Sequence, residues 1–331
     1  MLVIAGDIGG TKTRLGIFSS EKGGKKPLVE ETFLSREYPD FESVLQMFLH
    51  SIDMKFDRAV FGVAGPLVDG RVSVTNLPWT IAENSLKNFL KIPSISLIND
   101  LEALGYALPL LDPTELYTLN HGREDTLGNM AVIAPGTGLG ELFLTRDKKG
   151  GKKVLNPHAS EGGHCDFAPV NPLQLRLLEY LWDRFGHVSY ERVCSGSGIP
   201  NIYDFLKNGE NMKEPEWLTL ALSGVDDPAP VIMNAAMNEE DDCRICRATL
   251  DCFISILGAE AGNLALKAKA TGGIYLGGGI PHRLVPALKN GLFMEAFTQK
   301  QSMQYLLEQI PVHVILNPNG ALSGAGAYGL A

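Results

Sequence analysis

The sequence predicts an α/β protein made of two related halves. Three observations carry this. Strand and helix signals alternate through the first hundred residues. A strand, glycine turn, strand opening occurs twice, at "LVIAGDIGGTKTRLGIFS" and at "NMAVIAPGTGLGELFLTRD". A third glycine turn closes a later strand, at "GIYLGGGIP".

The elements follow in order. "LVIAGDI" and "TRLGIFS" are apolar runs on either side of the first turn, and the second has the period of two that a strand requires. "SSEKGGKKPLVE" is a polar hairpin loop. "FESVLQMFLHSI" has helical spacing. "RAVFGVAG" and "SISLIND" are short apolar runs ending in Gly or an acid, as buried strands do, and "LEALGYALPLL" is a helix. In the second cycle "NPLQLRLLEYLWDRF" and "DDCRICRATLDCFISILGAEAGNLALKAKA" are helices, with "LKNGENMKEPEW" a surface loop. "VHVILN" is a strand, and "GALSGAGAYGL" a terminal helix of small residues. The smaller half is expected at 1–111 plus 318–331 and the larger at 112–317.

The chain has 331 residues, 45 % of them hydrophobic and 20 % charged, which suits a globular protein with large cores. Its formal charge of −9 repels phosphate backbones, so no nucleic-acid partner is expected. The opening "MLVIAGDI" carries no charged leader with a cleavage site, and no apolar run reads as long enough to span a bilayer. Five scattered cysteines suit reduced thiols, and the expectation is a cytoplasmic protein without a membrane partner. Cys243 and Cys246 form a CxxC, but no second pair stands at zinc-site spacing, so both are expected to be buried helix-face thiols.

The turns raise the question of a ligand. "GDIGGTKT" is not a Walker P-loop: Thr11 stands where that motif needs glycine, and a strand rather than a helix follows. A tight hairpin would explain one such turn. Gly136-Thr137-Gly138 repeats the arrangement, and Gly277-Gly278-Gly279 adds a third. Small residues let backbone N–H groups approach an anion closely.

"DIGGTKTR", "GVAGP", "LINDLEAL", "PGTGLG", "EGGH", "LGGGIP" and the terminal "SGAGAYG" together resemble the bacterial glucokinase family, nearly end to end. His164 is followed by a single cysteine, in "HCDFAP", and not by a zinc cluster, so the resemblance is to the zinc-free branch. The resemblance implies two actin-like (ribonuclease H-like) α/β domains with an ATP and sugar cleft between them. It implies ATP and Mg2+ as cofactors, glucose as substrate and a homodimer. By this resemblance Asp7, Gly9, Gly10, Thr11 and Lys12 sit near the transferred phosphate, with Asp7 orienting hydrated Mg2+. Lys12 is either a phosphate clamp or a solvent-facing residue of an alternating strand. Gly136, Thr137 and Gly138 form the second phosphate turn, and Gly277, Gly278 and Gly279 flank the adenosine.

Asn99 and Asp100 end a buried strand, where open α/β sheets bind ligands. A helix cap accounts for one of the pair and leaves the other for a second duty. Asp100 is the candidate base, since transfer to an alcohol needs a carboxylate to take the hydroxyl proton. Glu161 and His164 suit sugar hydroxyls, and the glycines between them suggest a backbone bent against a ligand. Glu191 is singled out by its match to the family's "ERxxSG" segment alone. Asn99, Asp100, Glu161, His164 and Glu191 together line the implied glucose pocket, and Thr75 and Asn76 are further candidates. Glu141, beside the second turn, is expected to face outward by strand alternation. The reading is ATP-dependent phosphorylation of glucose to glucose 6-phosphate. Its competitors are a kinase for another hexose or N-acetylmannosamine, and a non-catalytic actin-like nucleotide-binding module. The acid and histidine set of "IND" and "EGGH" favours the enzyme.

Overall fold

The computed structural model describes residues 1–22, 25–123, 125–149, 152–238, 240, 242–317 and 319–331. The chain divides into two compact units: Met1–Glu115 with Asp147–Ala159 and Asn317–Ala331, and Leu116–Arg146 with Ser160–Leu316. The segment Asp147–Ala159, expected in the larger half, groups with the first unit; the expected boundary residue Pro318 lies outside the described residues.

In the first unit β1 (Leu2–Ile8) and β2 (Lys12–Ser19) form the antiparallel hairpin around the first turn, and β3 (Val29–Leu34) adds to β2. β4 (Arg58–Val63) pairs parallel with β1. Residues 67–82 form a small separate sheet of β5 (Leu67–Val68), β6 (Arg71–Ser73) and β7 (Thr80–Ala82). β8 (Ser94–Asn99) pairs parallel with β4, so the main sheet runs β3-β2-β1-β4-β8. Apolar residues cover it on both faces. On one, the helix Phe41–Leu49 turns Phe41, Val44, Leu45 and Phe48 inward at helical spacing, with Asp40 capping through Ser43 N–H. Phe41 meets the Phe61 ring edge-on at 5.0 Å. On the other, Leu322 and Ala325 of the terminal helix Gly320–Leu330 join Val3, Ala5, Val60 and Ala103.

The second unit repeats the plan. β10 (Met130–Pro135) and β11 (Leu139–Lys149) form the antiparallel hairpin; the sheet continues past β11 to β12 (Lys152–Ser160), all but the last residue of which belongs to the Asp147–Ala159 segment of the first unit. β13 (Ile274–Leu276) and β14 (Val312–Ile315) follow in parallel, and β9 (Leu116–Asn120) closes the edge antiparallel to β14. The order β12-β11-β10-β13-β14-β9 is that of the first unit with one extra edge strand.

Two expectations change here. The helix Arg244–Ala268 is, by length and composition, apolar enough to cross a membrane, but 78 % of its most apolar window is buried inside the structure. Cys246 and Phe253 on it, and Cys243 just before it, are fully buried. The expected loop at "LKNGENMKEPEW" begins as a π-helical turn, Phe205–Gly209, because Phe205 stays buried against the Tyr180 ring at 5.6 Å.

The terminal helix lies very close to the helix Asp100–Ala107: a Cβ on Gly324 would collide with the carbonyl group of Ala103. Gly324→Ala is therefore expected to cost about 1–3 kcal/mol, as overpacking does. Calorimetry should show a Tm several degrees lower; an unchanged Tm would refute the close approach.

Candidate active site

In the first unit the residues singled out from the sequence gather at the carboxyl edge of β1, β4 and β8. The ladder aligns Asp7 with Gly62, and Val63 with Asn99. Asn99 caps the helix Asp100–Ala107: its Oδ1 accepts from Leu101 N–H at 2.9 Å and Glu102 N–H at 3.4 Å. Asp100 Oδ1 also accepts from Leu101 N–H, at 2.9 Å. Burial pushes the Asp100 carboxyl above its ordinary range, against that hydrogen bond. Burial first, and then the charge of Asp100, push the Asp7 carboxyl up to about 6, while the Arg14 guanidinium, 3.2 Å from Asp7 Oδ2, pulls it down.

The first turn is held from within. Gly9 N–H donates to Lys12 O at 3.0 Å. Ser35 N–H donates to Thr11 O at 3.0 Å, and the Ser35 hydroxyl to Gly9 O at 2.8 Å. Among the described residues the amides of Gly10 and Thr11 donate to no group of the chain. Gly10 lies against the Thr75 carbonyl, where a Cβ would come within 2.7 Å, so the Thr75–Asn76 turn backs the first turn directly. Lys12 is exposed at the first position of β2.

In the second unit the predicted residues gather around the β10–β11 hairpin. Gly136 N–H donates to Gly138 O at 2.8 Å, and Gly196 N–H to Gly136 O at 2.7 Å. The third turn lies alongside, with Gly277 N–H donating to Ile133 O at 2.9 Å and Ile280 N–H to Pro135 O at 3.4 Å. As in the first turn, two consecutive amides in each, Thr137 and Gly138, then Gly278 and Gly279, donate to nothing among the described residues. Glu191 faces the second turn: its Oε2 accepts from Leu139 N–H at 2.9 Å. Glu161 Oε2 and His164 Nε2 stand 3.9 Å apart, both well exposed.

One sequence expectation fails in this unit. Glu141 does not face outward; it is 2 % exposed. β11 is covered on both faces, so alternation offers no solvent side. Its Oε1 is buried without a hydrogen-bond partner among the described residues, and burial, then Glu260, push the carboxyl up to about 7, with Lys267 opposing. The glycine pair of "EGGH" lies against the same strand. Gly162 leaves room for the Glu141 carboxylate and Gly163 for the Leu139 carbonyl, so both glycines approach β11 closely. Ser35 is the contact that sequence reasoning missed, since "FLSRE" carries no motif and its partners lie more than twenty residues earlier.

Two α/β units of one strand order, each opening on a glycine hairpin whose tip amides have no partner among the described residues, define a two-unit α/β protein of the actin-like type. The chain belongs to the glucokinase family, whose profile matches residues 4–331. Its similarity to the glucokinase of Trichormus variabilis (strain ATCC 29413 / PCC 7937) is 42 % identity, covering 98 % of this chain and 97 % of that one. The crystal structure of a glucokinase from an Antarctic psychrotroph is 33 % identical with a TM-score of 0.84, covering 99 % of this chain and 98 % of that one. The fold is shared also with a glucokinase from Balamuthia mandrillaris in complex with glucose, at 23 % identity and a TM-score of 0.80, covering 100 % and 94 %.

The buried Glu141 predicts a pH effect. Its folded pKa of about 7 lies above the ordinary 4.5, so its contribution to stability is complete below pH ~4.5 and is lost as pH rises through about 7. Glu141→Gln should match the parent in denaturant titrations at pH 5 and exceed it at pH 8, by about 3 kcal/mol at most. An equal difference at both pH values would refute the buried carboxyl.

Proposed function

We propose that this chain transfers the γ-phosphoryl group of ATP to the 6-hydroxyl of glucose. The observation that carries the reading is the repeated pair of uncommitted amides in three glycine turns, set in the first unit beside Asp7 and Asp100. Such amides are ready donors to phosphoryl oxygens and need no reorganisation as charge develops.

Each residue has a part. Asp100 keeps Oδ2 uncommitted after Oδ1 binds Leu101 N–H, and takes the proton as the sugar oxygen bonds to phosphorus and the bond to ADP breaks. With Asn99 Oδ1 spent on the cap, its Nδ2 remains to orient a hydroxyl. Glu191 likewise offers Oε1, while the exposed Glu161 and His164 offer an acceptor and an imidazole. The nucleotide phosphates fall to the first two turns and the adenosine to the third, with exposed Lys12 free to swing to a phosphate.

Mg2+ fits the donors present. Asp7 and Asp100 are mutually repelling carboxylates, Arg14 is paired with Asp7, and a dication relieves the repulsion. Among the described residues no group of three or more His, Cys, Asp or Glu could hold a metal, which suits an ion that keeps its waters and leans on phosphates. When bound it neutralises phosphoryl charge. The same reading carries a homodimer in the cytoplasm; Leu175 and Trp182, exposed on one helical face at i and i+7, suit a contact between copies.

Asp100→Asn should lower kcat by about 10²- to 10⁴-fold, the range for a lost general base, with glucose affinity by calorimetry changed only a few-fold. A coupled ADP assay over glucose, mannose and N-acetylmannosamine tests substrate and base together. Sugar-stimulated ADP release by the variant near the parent rate would remove Asp100 as base, and no release with any sugar would remove the kinase reading.

A further inference from the structure

We propose that Ser35 is a positioning residue for phosphoryl transfer, aiming the Gly10 amide of the first turn at the nucleotide phosphates. The inference rests on the kinase reading and adds a residue to it.

The argument is geometric. Ser35 is fully buried at the end of β3. Its hydroxyl donates to Gly9 O at 2.8 Å and lies 3.0 Å from the hydroxyl of Thr13, itself fully buried. Its N–H donates to Thr11 O at 3.0 Å. One serine thus holds two carbonyls of a four-residue turn. The peptide bonds are all trans. In a planar trans peptide the C=O and the following N–H point in opposite directions. Drawing Gly9 O inward to Ser35 therefore drives Gly10 N–H outward, and that amide has no partner among the described residues.

The second turn supports the assignment. There Gly136 O is drawn inward by Gly196 N–H at 2.7 Å, which drives Thr137 N–H outward in the same way. The second turn uses a backbone donor. The first uses a side chain, so its anchor can be removed by substitution. Without the hydroxyl, the Gly9–Gly10 peptide is free to flip between two glycines, which resist no φ/ψ change. Thr13 keeps the Ser35 hydroxyl in place by occupying its acceptor side, leaving the proton for Gly9 O.

The test uses the full chain with Ser35→Ala and the near-isosteric Ser35→Cys, whose thiol is a weak donor. Steady-state kinetics with MgATP and glucose, calorimetry with glucose alone, and Tm are measured for each. Ser35→Ala is expected to lower kcat/KM for MgATP at least tenfold while the Kd for glucose stays within twofold, and Ser35→Cys to fall between. A lower Tm with unchanged MgATP kinetics overturns the positioning role and leaves the kinase reading standing. A parent protein that binds no MgATP overturns both. If Ser35→Ala does not fold, the Cys variant decides alone: a loss of at least threefold in kcat/KM for MgATP at constant glucose Kd supports the role, and parental kinetics overturn it.

Discussion

Both hairpin tips carry peptide N–H groups with no partner among the described residues, and such an amide is useful only if its direction is fixed. Planarity of the trans peptide supplies the means: pin the carbonyl and the next N–H is aimed. Gly9 O is pinned by a serine hydroxyl and Gly136 O by a backbone amide. The cost is modest because the tips, Thr11, Thr137, Gly278 and Gly279, are exposed and water serves their amides until an anion arrives. The gain is large because hydrogen bonds to an anion are stronger than those to water or carbonyls. Rigid strands on either side of the first two turns hold the aim there.

The parts legible in the sequence were those with local signatures. Period-two runs flanking glycines located β1, β2, β10 and β11, and the break from helical period after Lys12 excluded a P-loop. Asn99 and Asp100 were found because a strand ran into two polar residues, and the cap accounts for Asn99 alone. What stayed hidden depends on contacts distant in sequence. Ser35 meets the turn across twenty-six residues, with nothing in "VEETFLSRE" to announce it. The glycines of "EGGH" signal close approach but not to what, and the neighbour is β11. Alternation along β11 was misread because it implies a wet face only where one face is wet, and Leu142, Leu144 and Glu141 are all buried.

The duplicated frame makes the chemical differences between the halves interpretable. Counting back from the turns, the first ladder pairs are Ile8 with Thr13 and Pro135 with Leu139. The second pairs are Asp7 with Arg14 and Ala134 with Gly140. The first unit therefore places an acid and its cationic partner where the second has only small residues. Charge is tolerated there because Asp7 lies at the carboxyl end of its strand with Arg14 across from it and retains some solvent. The second unit keeps that position uncharged and devotes its hairpin to amides and to the carboxylate of Glu191.

The third pairs reverse the pattern: Gly6 with Leu15, and Ile133 with Glu141. Leu15 is fully buried, which shows what the position demands, an apolar side chain in the sheet interior. Glu141 fills that volume but brings a carboxyl whose Oε1 finds no partner among the described residues and whose neighbour Glu260 is fully buried too. Lys267, 3.5 Å from Glu260 Oε1, offsets part of this from the helix Arg244–Ala268. A leucine would be the more stable choice by burial alone. The acid stands directly behind Gly162, between Glu161 and His164, so its charge state bears on the backbone that carries both groups. The first unit spends its charge at a strand end where arginine and solvent share it. The second holds one in the interior, where the proton is the counter-charge nearest to hand.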